Sequence, residues 1–175
     1  MNNPFKDIYF DNFTSLSVEE AKEVLEWRNN DLVRRQMFTN EIISLEKHLS
    51  FIESLKTSSD KLYFRIKWKN KSIGVLDYYD TIKGTKIMGL YLNPEFIGSA
   101  WGIYLEFIGL EYAFDFLNLK EIHCEIIESN ESVLKIHNFF NFTTLNIVNN
   151  IVFMKIDKKT WIDTKVKIKP LIKIL

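Results

Sequence analysis

The 175 residues carry 23 Lys and Arg against 23 Asp and Glu, so the formal net charge is zero and the total implies no polybasic face for nucleic acid. With 46% hydrophobic and 14% aromatic residues but only 6 Gly and 3 Pro, the composition excludes a disordered polymer, and the length suits one domain with a full core. The single cysteine, Cys124, excludes an internal disulfide and a cysteine-rich metal site, so no metal is expected.

No basic stretch followed by an apolar core opens the chain, and no apolar run reaches the length of a membrane span. The expectation is a soluble cytoplasmic protein with no membrane partner. Residues 6–15 alternate loosely, with Ile8, Phe10 and Phe13, and read as a first strand. Ser17-Val18-Glu19-Glu20 then reads as a helix start, because a cap serine and a glutamate three residues on satisfy each other's backbone donors. The helix runs to Asn30 with Val18, Ala21, Val24 and Leu25 as its inner stripe. Arg28 falls on the edge of that stripe, where it either snorkels over apolar surface or points its cation into the body of the protein. Asn29-Asn30-Asp31 reads as a stop.

Ser44 opens a second helix with Leu45, His48, Leu49, Ile52 and Leu55 on one face, so His48 is either a satisfied core residue or a ligand. Residues 62–68 and 73–81 read as strands joined by Lys69-Asn70-Lys71-Ser72; Ile82-Lys83-Gly84-Thr85 turns into a third over 87–92, predicting an antiparallel meander. Asn93-Pro94 stops that strand. The following loop holds Gly98 and Gly102 and leads into an apolar helix over 103–117, whose main polar positions are Glu106, Glu111 and Asp115. The first turn of a helix leaves backbone N–H groups unpaired at the positive end of the dipole, and glycines there let a bulky anion approach. A phosphate cradle and a plain solvated turn both fit, since neither G-x-x-x-x-G-K-[ST] nor G-x-G-x-x-G is present.

Residues 121–127 read as an isoleucine-rich strand, Ser129-Asn130 caps a short helix to Phe140, and residues 142–148 and 151–156 pair around Asn149-Asn150. From Lys155 onward, Lys155, Lys158, Lys159, Lys165, Lys167, Lys169 and Lys173 face only Asp157 and Asp163. Residues 158–175 therefore read as a basic tail beyond a domain of residues 1–157, a solvated edge or a contact for an anionic partner.

This order of elements over residues 6–156 resembles the GCN5-related N-acetyltransferase superfamily. The resemblance implies an α/β (α+β) fold, a mixed and mostly antiparallel twisted sheet of about seven strands flanked by about four helices. It implies acetyl-CoA as co-substrate, its pyrophosphate gripped by Gly98, Ser99, Ala100, Trp101 and Gly102. The pantetheine arm would hydrogen-bond the strand Gly89-Leu90-Tyr91-Leu92. A second mark, Asn130-Glu131-Ser132-Val133-Leu134-Lys135-Ile136-His137-Asn138-Phe139-Phe140-Asn141-Phe142, is similar to the family's N-x-x-A-x-x-x-Y-x-x-x-G-F. Asn130, a further cofactor-site residue, and Phe142 match; Val133, His137 and Asn141 replace alanine, tyrosine and glycine.

A narrower resemblance rests on Glu26-Trp27-Arg28-Asn29, on Met37, and on Ile43-Ser44-Leu45-Glu46-Lys47-His48-Leu49-Ser50-Phe51-Ile52. These segments resemble the acetyltransferases of pseudaminic acid synthesis, which acetylate the 4-amino group of a UDP-linked 4-amino-4,6-dideoxy sugar. Arg28, Met37, His48, Tyr91 and Glu128 are then implied to face the nucleotide-sugar, and an arginine fork suits its diphosphate. Two features depart from the family pattern. No Lys or Arg occurs from residue 87 to 119, so phosphate binding would rest on backbone N–H groups and the dipole. His137 stands where the family's tyrosine donates a proton.

The expected catalytic pair is Glu128, polarising the amine or a water that deprotonates it, and His137, protonating the departing thiolate. Glu128 equally suits a carboxylate that only stabilises a helix N-terminus, and His137 equally suits packing. An N-terminal acetyltransferase of the ribosomal-protein type and a non-catalytic module of the same fold are the alternatives, and a homodimer stays open.

Overall fold

A computed structural model describes residues 7–81 and 84–172. Lys6, Ile82, Lys83 and Lys173, assigned above to the first strand, the turn after the second strand and the tail, lie outside the described residues. Strand β1 (Ile8–Asn12) pairs antiparallel with β2 (Lys61–Trp68), and β2 with β3 (Lys71–Asp80) and β3 with β4 (Lys86–Leu92) complete the expected meander. Between β1 and β2 lie α1 (Val18–Asn29), the one-turn α2 (Asp31–Arg34) and α3 (Leu45–Leu55). Helix α1 starts at Ser17 with a full capping box: Ser17 Oγ accepts from the Glu20 N–H at 3.2 Å, and Glu20 Oε2 accepts from the Ser17 N–H at 2.8 Å. Ala21, Val24 and Leu25 are buried as the stripe predicts, joined by Trp27, while Val18 in the first turn stays 48% exposed.

Helix α4 (Trp101–Glu111) continues into a π-turn over Tyr112–Phe116, closed by the Leu117 N–H donating to Tyr112 O at 3.0 Å. Then follow β5 (Glu121–Ile127), α5 (Glu131–Phe139), β6 (Thr143–Val148), β7 (Ile151–Asp157) and α6 (Lys158–Ile168). The seven strands form one sheet in the order β1-β2-β3-β4-β5-β7-β6, in which only β4 and β5 run parallel. Asn149 and Asn150 take φ of 50° and 62° between β6 and β7, the two left-handed residues that a tight hairpin with the native twist requires.

Strand alternation divides the core into two faces. Phe64, Leu76, Tyr78 and Met88 pack with α4 and α6 on one face; Val75 packs with Phe13, Ala21, Val24, Trp27, Ile52 and Leu55 from the α1 and α3 side on the other. Helix α4 seats tightly because Gly109 has no side chain: a Cβ there would stand 2.9 Å from both Leu76 Cδ1 and Met88 Sδ, and the Tyr78 hydroxyl donates to Gly109 O at 2.6 Å.

The solvated tail expected after Asp157 is instead helix α6, with Trp161, Thr164 and Ile168 buried and Ile172 buried beyond it. These positions recur at helical spacing, so one stripe docks on the core while the lysines fan outward; Lys165 bonds Glu111 Oε2 at 2.7 Å and Asp115 Oδ2 at 2.9 Å. With α2 and α6 the helices number six among the described residues, against the four expected. No helix is long and apolar enough to cross a membrane among the described residues.

Candidate active site

Strands β4 and β5 share one rung, Ile87 opposite His123, whereas β4 pairs with β3 over seven positions from Gly74↔Leu92 to Asp80↔Lys86. Past Ile87, the edge of β4 that faces β5 carries no further rung. The open N–H and C=O groups there belong to Leu90 and Leu92 and can take an extended polar chain as they would another strand, while Gly89 and Tyr91, in phase with Asn93, whose N–H donates to Ile73 O at 2.8 Å, turn theirs to β3. The side chains of Leu90 and Leu92 turn onto the α4 core, so these residues offer main chain only.

The strand ends at Asn93, whose Nδ2 donates to Ser72 O at 3.0 Å, and the loop beyond it passes through Gly98 at φ +83° into α4. The N-cap residues Ser17, Asn30, Ser44, Asn130 and Asp157 each cap their helix with a side chain; at α4 the position is Ala100, which has none to offer. Ser99 Oγ accepts from the Trp101 N–H at 3.2 Å and donates to Phe96 O at 2.6 Å. The next N–H groups of the first turn, those of Gly102 and Ile103, stand at the positive end of the dipole with no capping side chain.

Two expectations about this loop change. The helix begins at Trp101, not 103, so Gly102 is helical; a Cβ there would stand 3.1 Å from Ile136 Cδ1, and the glycine lets α5 approach α4. The Trp101 side chain is buried against Trp68, Phe96 and Tyr104, so any part it takes in anion binding is through its backbone.

On the opposite face of the sheet, two rows cross β2, β3 and β4: Arg65–Val75–Tyr91 and Tyr63–Asp77–Gly89. Arg28, at the end of α1, donates from Nη2 to Thr39 O at 3.1 Å and Thr39 Oγ1 at 3.3 Å, while its Nη1 is buried without a partner. Desolvation lowers the guanidinium pKa and the neighbouring Tyr91 phenol opposes that shift, so α1 and β4 bring Arg28 and Tyr91 together. Burial pushes the Tyr91 phenol far up, and Asp77 adds to the push. Met37 follows α2 and is half-buried. His48 is buried edge-on to Phe13; desolvation lowers its pKa, a backbone hydrogen bond at Ala21 opposes that shift, and its Nε2 has no partner. Among the described residues His48 makes no hydrogen bond or ion pair to Arg28, Met37, Tyr91 or Glu128, and packing against Phe13 and Ala21 is what the structure records for it.

The second motif folds as a unit. Asn130 caps α5 by accepting from the Val133 N–H at 3.4 Å, and Asn141, in the place of glycine, takes the left-handed φ of 62° that asparagine tolerates. His137 is buried with its ring stacked on Phe142 at 4.4 Å, and its Nε2 stands 3.3 Å from Oε2 of Glu106, which is only 1% exposed. His137 Nδ1 and Glu106 Oε1 are both buried without a partner. Glu128 is exposed at the end of β5, where its N–H donates to Asn150 O at 2.8 Å.

Two acidic residues at this centre were not assigned a role above. Glu106 was legible as a polar position in an apolar helix, which already required a partner. Asp77 had a weaker signal: period-two alternation puts it on the face of Val75, a buried position where a carboxylate is unexpected.

No protein-family model matches the sequence. The chain is 30% identical to acetyltransferase PseH of Campylobacter jejuni over 132 residues, 75% of this chain and 82% of the relative. The crystal structure of Campylobacter jejuni N-acetyltransferase PseH in complex with acetyl coenzyme A superposes with a TM-score of 0.71 at 24% identity, over 86% of this chain and 99% of that one. Apo FdhC, a nucleotide-linked sugar GNAT, gives a TM-score of 0.79 at 15% identity over 100% and 99% of the two chains.

Proposed function

The chain belongs to the PseH acetyltransferase family, and we propose that it transfers acetyl from acetyl-CoA directly to the 4-amino group of a UDP-linked 4-amino-4,6-dideoxy sugar in pseudaminic acid synthesis. The observation that carries this reading is the one-rung junction of β4 and β5 leading to an α4 N-terminus without a side-chain cap. An extended pantetheine arm fits the open edge of β4, and a pyrophosphate fits the Gly102 and Ile103 N–H groups without a cation. Acetyl-CoA supplies the activated acyl group; the chain has to position an amine beside it and move two protons.

On the acceptor side, Arg28 offers a buried Nη1 without a partner to an anionic oxygen, beside the Tyr91 phenol. Met37, half-buried two residues before the Thr39 that Arg28 bonds, contributes apolar surface, and His48 holds α3 against α1. Glu128, exposed beyond β5, faces solvent from which an amine or a bridging water arrives. His137 is the proton donor to the departing thiolate: as an imidazolium whose Nε2–H donates to Glu106, it gives the proton of its free Nδ1 and is left neutral. Reaction in the cytoplasm, without nucleic acid or membrane, belongs to the same reading.

The test is incubation with acetyl-CoA and either a UDP-4-amino-4,6-dideoxy sugar or an N-terminal peptide, with the product identified by mass spectrometry. Acetylation of the sugar and not the peptide is expected; the reverse would overturn the substrate assignment. Acetyl-CoA at 100 times its dissociation constant should add about 2.7 kcal/mol of stability. Arg28→Lys should weaken sugar-nucleotide binding, because a point charge loses the planar fork.

A further inference from the structure

The row Tyr63–Asp77–Gly89 holds a carboxylate that no role described so far uses. Asp77 lies on β3, 9% exposed, directly opposite Gly89 of β4. A Cβ built on Gly89 would meet Asp77 Oδ2 at 2.8 Å and Oδ1 at 2.9 Å. The carboxylate therefore occupies the space that any other side chain at 89 would fill, lying over β4. That strand is the one whose far edge parts from β5, two residues past the Ile87–His123 rung. Among the described residues Asp77 has neither a salt-bridge partner nor a hydrogen bond from a side chain, although buried carboxylates are ordinarily paired. Its neighbours on the same face are phenols, Tyr63 from β2, Tyr79 from β3 and Tyr91 from β4, each pushed up in pKa by burial first and by Asp77 as well. The other groups that feel its charge are Tyr78 and Cys124, and the cation of this cleft is Arg28, coupled to the same Tyr91.

A carboxylate without a counter-ion, laid across a strand beside an acyl-donor channel, is built to meet a cation that arrives with the substrate. Resting on the acetyltransferase reading above, we propose that Asp77 is the catalytic base, receiving the proton of the acceptor ammonium over Gly89. The ammonium N–H bond breaks and an O–H bond forms on Asp77. The freed nitrogen lone pair then bonds the thioester carbonyl carbon as the C–S bond breaks. His137 Nδ1 gives its proton to the departing thiolate and the second amine proton replaces it, leaving amide and free thiol, and Asp77 returns its proton to water. Burial alone pushes the Asp77 pKa up to about 7, where a base is half ionised at neutral pH. Tyr63 and Tyr79, held neutral, can hydrogen-bond the amine or its carrier without competing for the proton.

The experiment is the pH profile of kcat/KM for the acceptor in the wild type, Asp77→Asn and Gly89→Ala, with acetyl-CoA binding followed by melting-temperature shift. In the wild type, kcat/KM should fall tenfold per pH unit below about 7. Asp77→Asn should lower it on the order of 10²–10⁴-fold at neutral pH, abolish that limb, and leave the acetyl-CoA shift intact. Gly89→Ala, whose methyl displaces the carboxylate, should lower kcat toward the same level, and it stands in should Asp77→Asn not fold. An Asp77→Asn enzyme with wild-type kcat and an unmoved acidic limb overturns the assignment while leaving the acetyltransferase reading standing. A wild type that neither binds acetyl-CoA nor acetylates any amine removes both.

Discussion

Asp77 sets up a stability experiment whose sign is opposite to that of most carboxylates. Its folded-state pKa stands near 7 against an ordinary 3.8, and the cause is burial without a compensating charge. Between those two values the folded state holds a proton that the unfolded chain has lost, so stability falls as pH rises through this window. The rise from 3.8 to about 7 is worth about 4 kcal/mol, at about 1.4 kcal/mol for each tenfold change in proton affinity. That figure is an upper bound, since the native state can relax or admit water. Asp77→Asn keeps the shape and removes the titration. Urea denaturation of both proteins at pH 4 and pH 8 gives a cycle in which every other titrating group cancels. The Asn variant should gain on the wild type by about 2–4 kcal/mol on going from pH 4 to pH 8. Parallel pH dependences would refute the reasoning, and a variant that instead loses ground at pH 8 would mean that Asp77 has a cationic partner in the folded state. A gain would also mean that the protein keeps a destabilising carboxylate next to its candidate site, as a binding or catalytic role requires and a structural role does not.

Three further outcomes follow from the packing. Arg65, with a side chain only 4% exposed, meets Asp11 Oδ2 at 2.8 Å, Glu23 Oε2 at 3.1 Å and Glu20; because these carboxylates are themselves 25–41% exposed, Arg65→Met should cost about 1.5–3 kcal/mol in urea denaturation, the worth of charge-assisted hydrogen bonds. A cost below about 1 kcal/mol would show those groups to be solvated instead. Trp161→Ala should cost about 3–5 kcal/mol, since the ring is 1% exposed and lies 5.3 Å from Phe107 and 6.2 Å from Phe114; a negligible loss would return residues 158–168 to the status of a solvated tail. His137→Phe should cost stability by leaving Glu106 buried alone, and His137→Phe with Glu106→Gln should recover much of it without recovering turnover. Full turnover at saturating substrates in either would end the role of His137 as proton donor.

Much of the fold was legible because it rests on local rules. The capping box at Ser17, the cap at Ser44, the stop at Asn93-Pro94 and the cap at Asn130 are encoded within three or four residues, and each helix or strand starts or ends there. The Asn149-Asn150 turn likewise needs only two residues that tolerate positive φ. The motif segments carried the family resemblance for the same reason, and they located α5 with its buried His137. The lysines beyond residue 157 misled the reading because charge was counted along the chain; Trp161 finds Phe107 of α4 and Phe114 of its π-turn, and Thr164 accepts from Asn141 Nδ2, all distant in sequence. Gly102 changed meaning for a related reason, since what its missing Cβ accommodates is Ile136 of another helix.

The centre of the candidate site was decided by tertiary structure alone. Glu106 and His137 belong to different helices, and Asp77 and Gly89 to different strands, so neither pair has a spacing that a sequence could display. Whether a carboxylate is solvated and ordinary or buried and near neutrality depends on what closes over it. Residues 77 and 89 are brought together by the β3–β4 register, and the desolvation that gives Asp77 its character exists only once the sheet has formed.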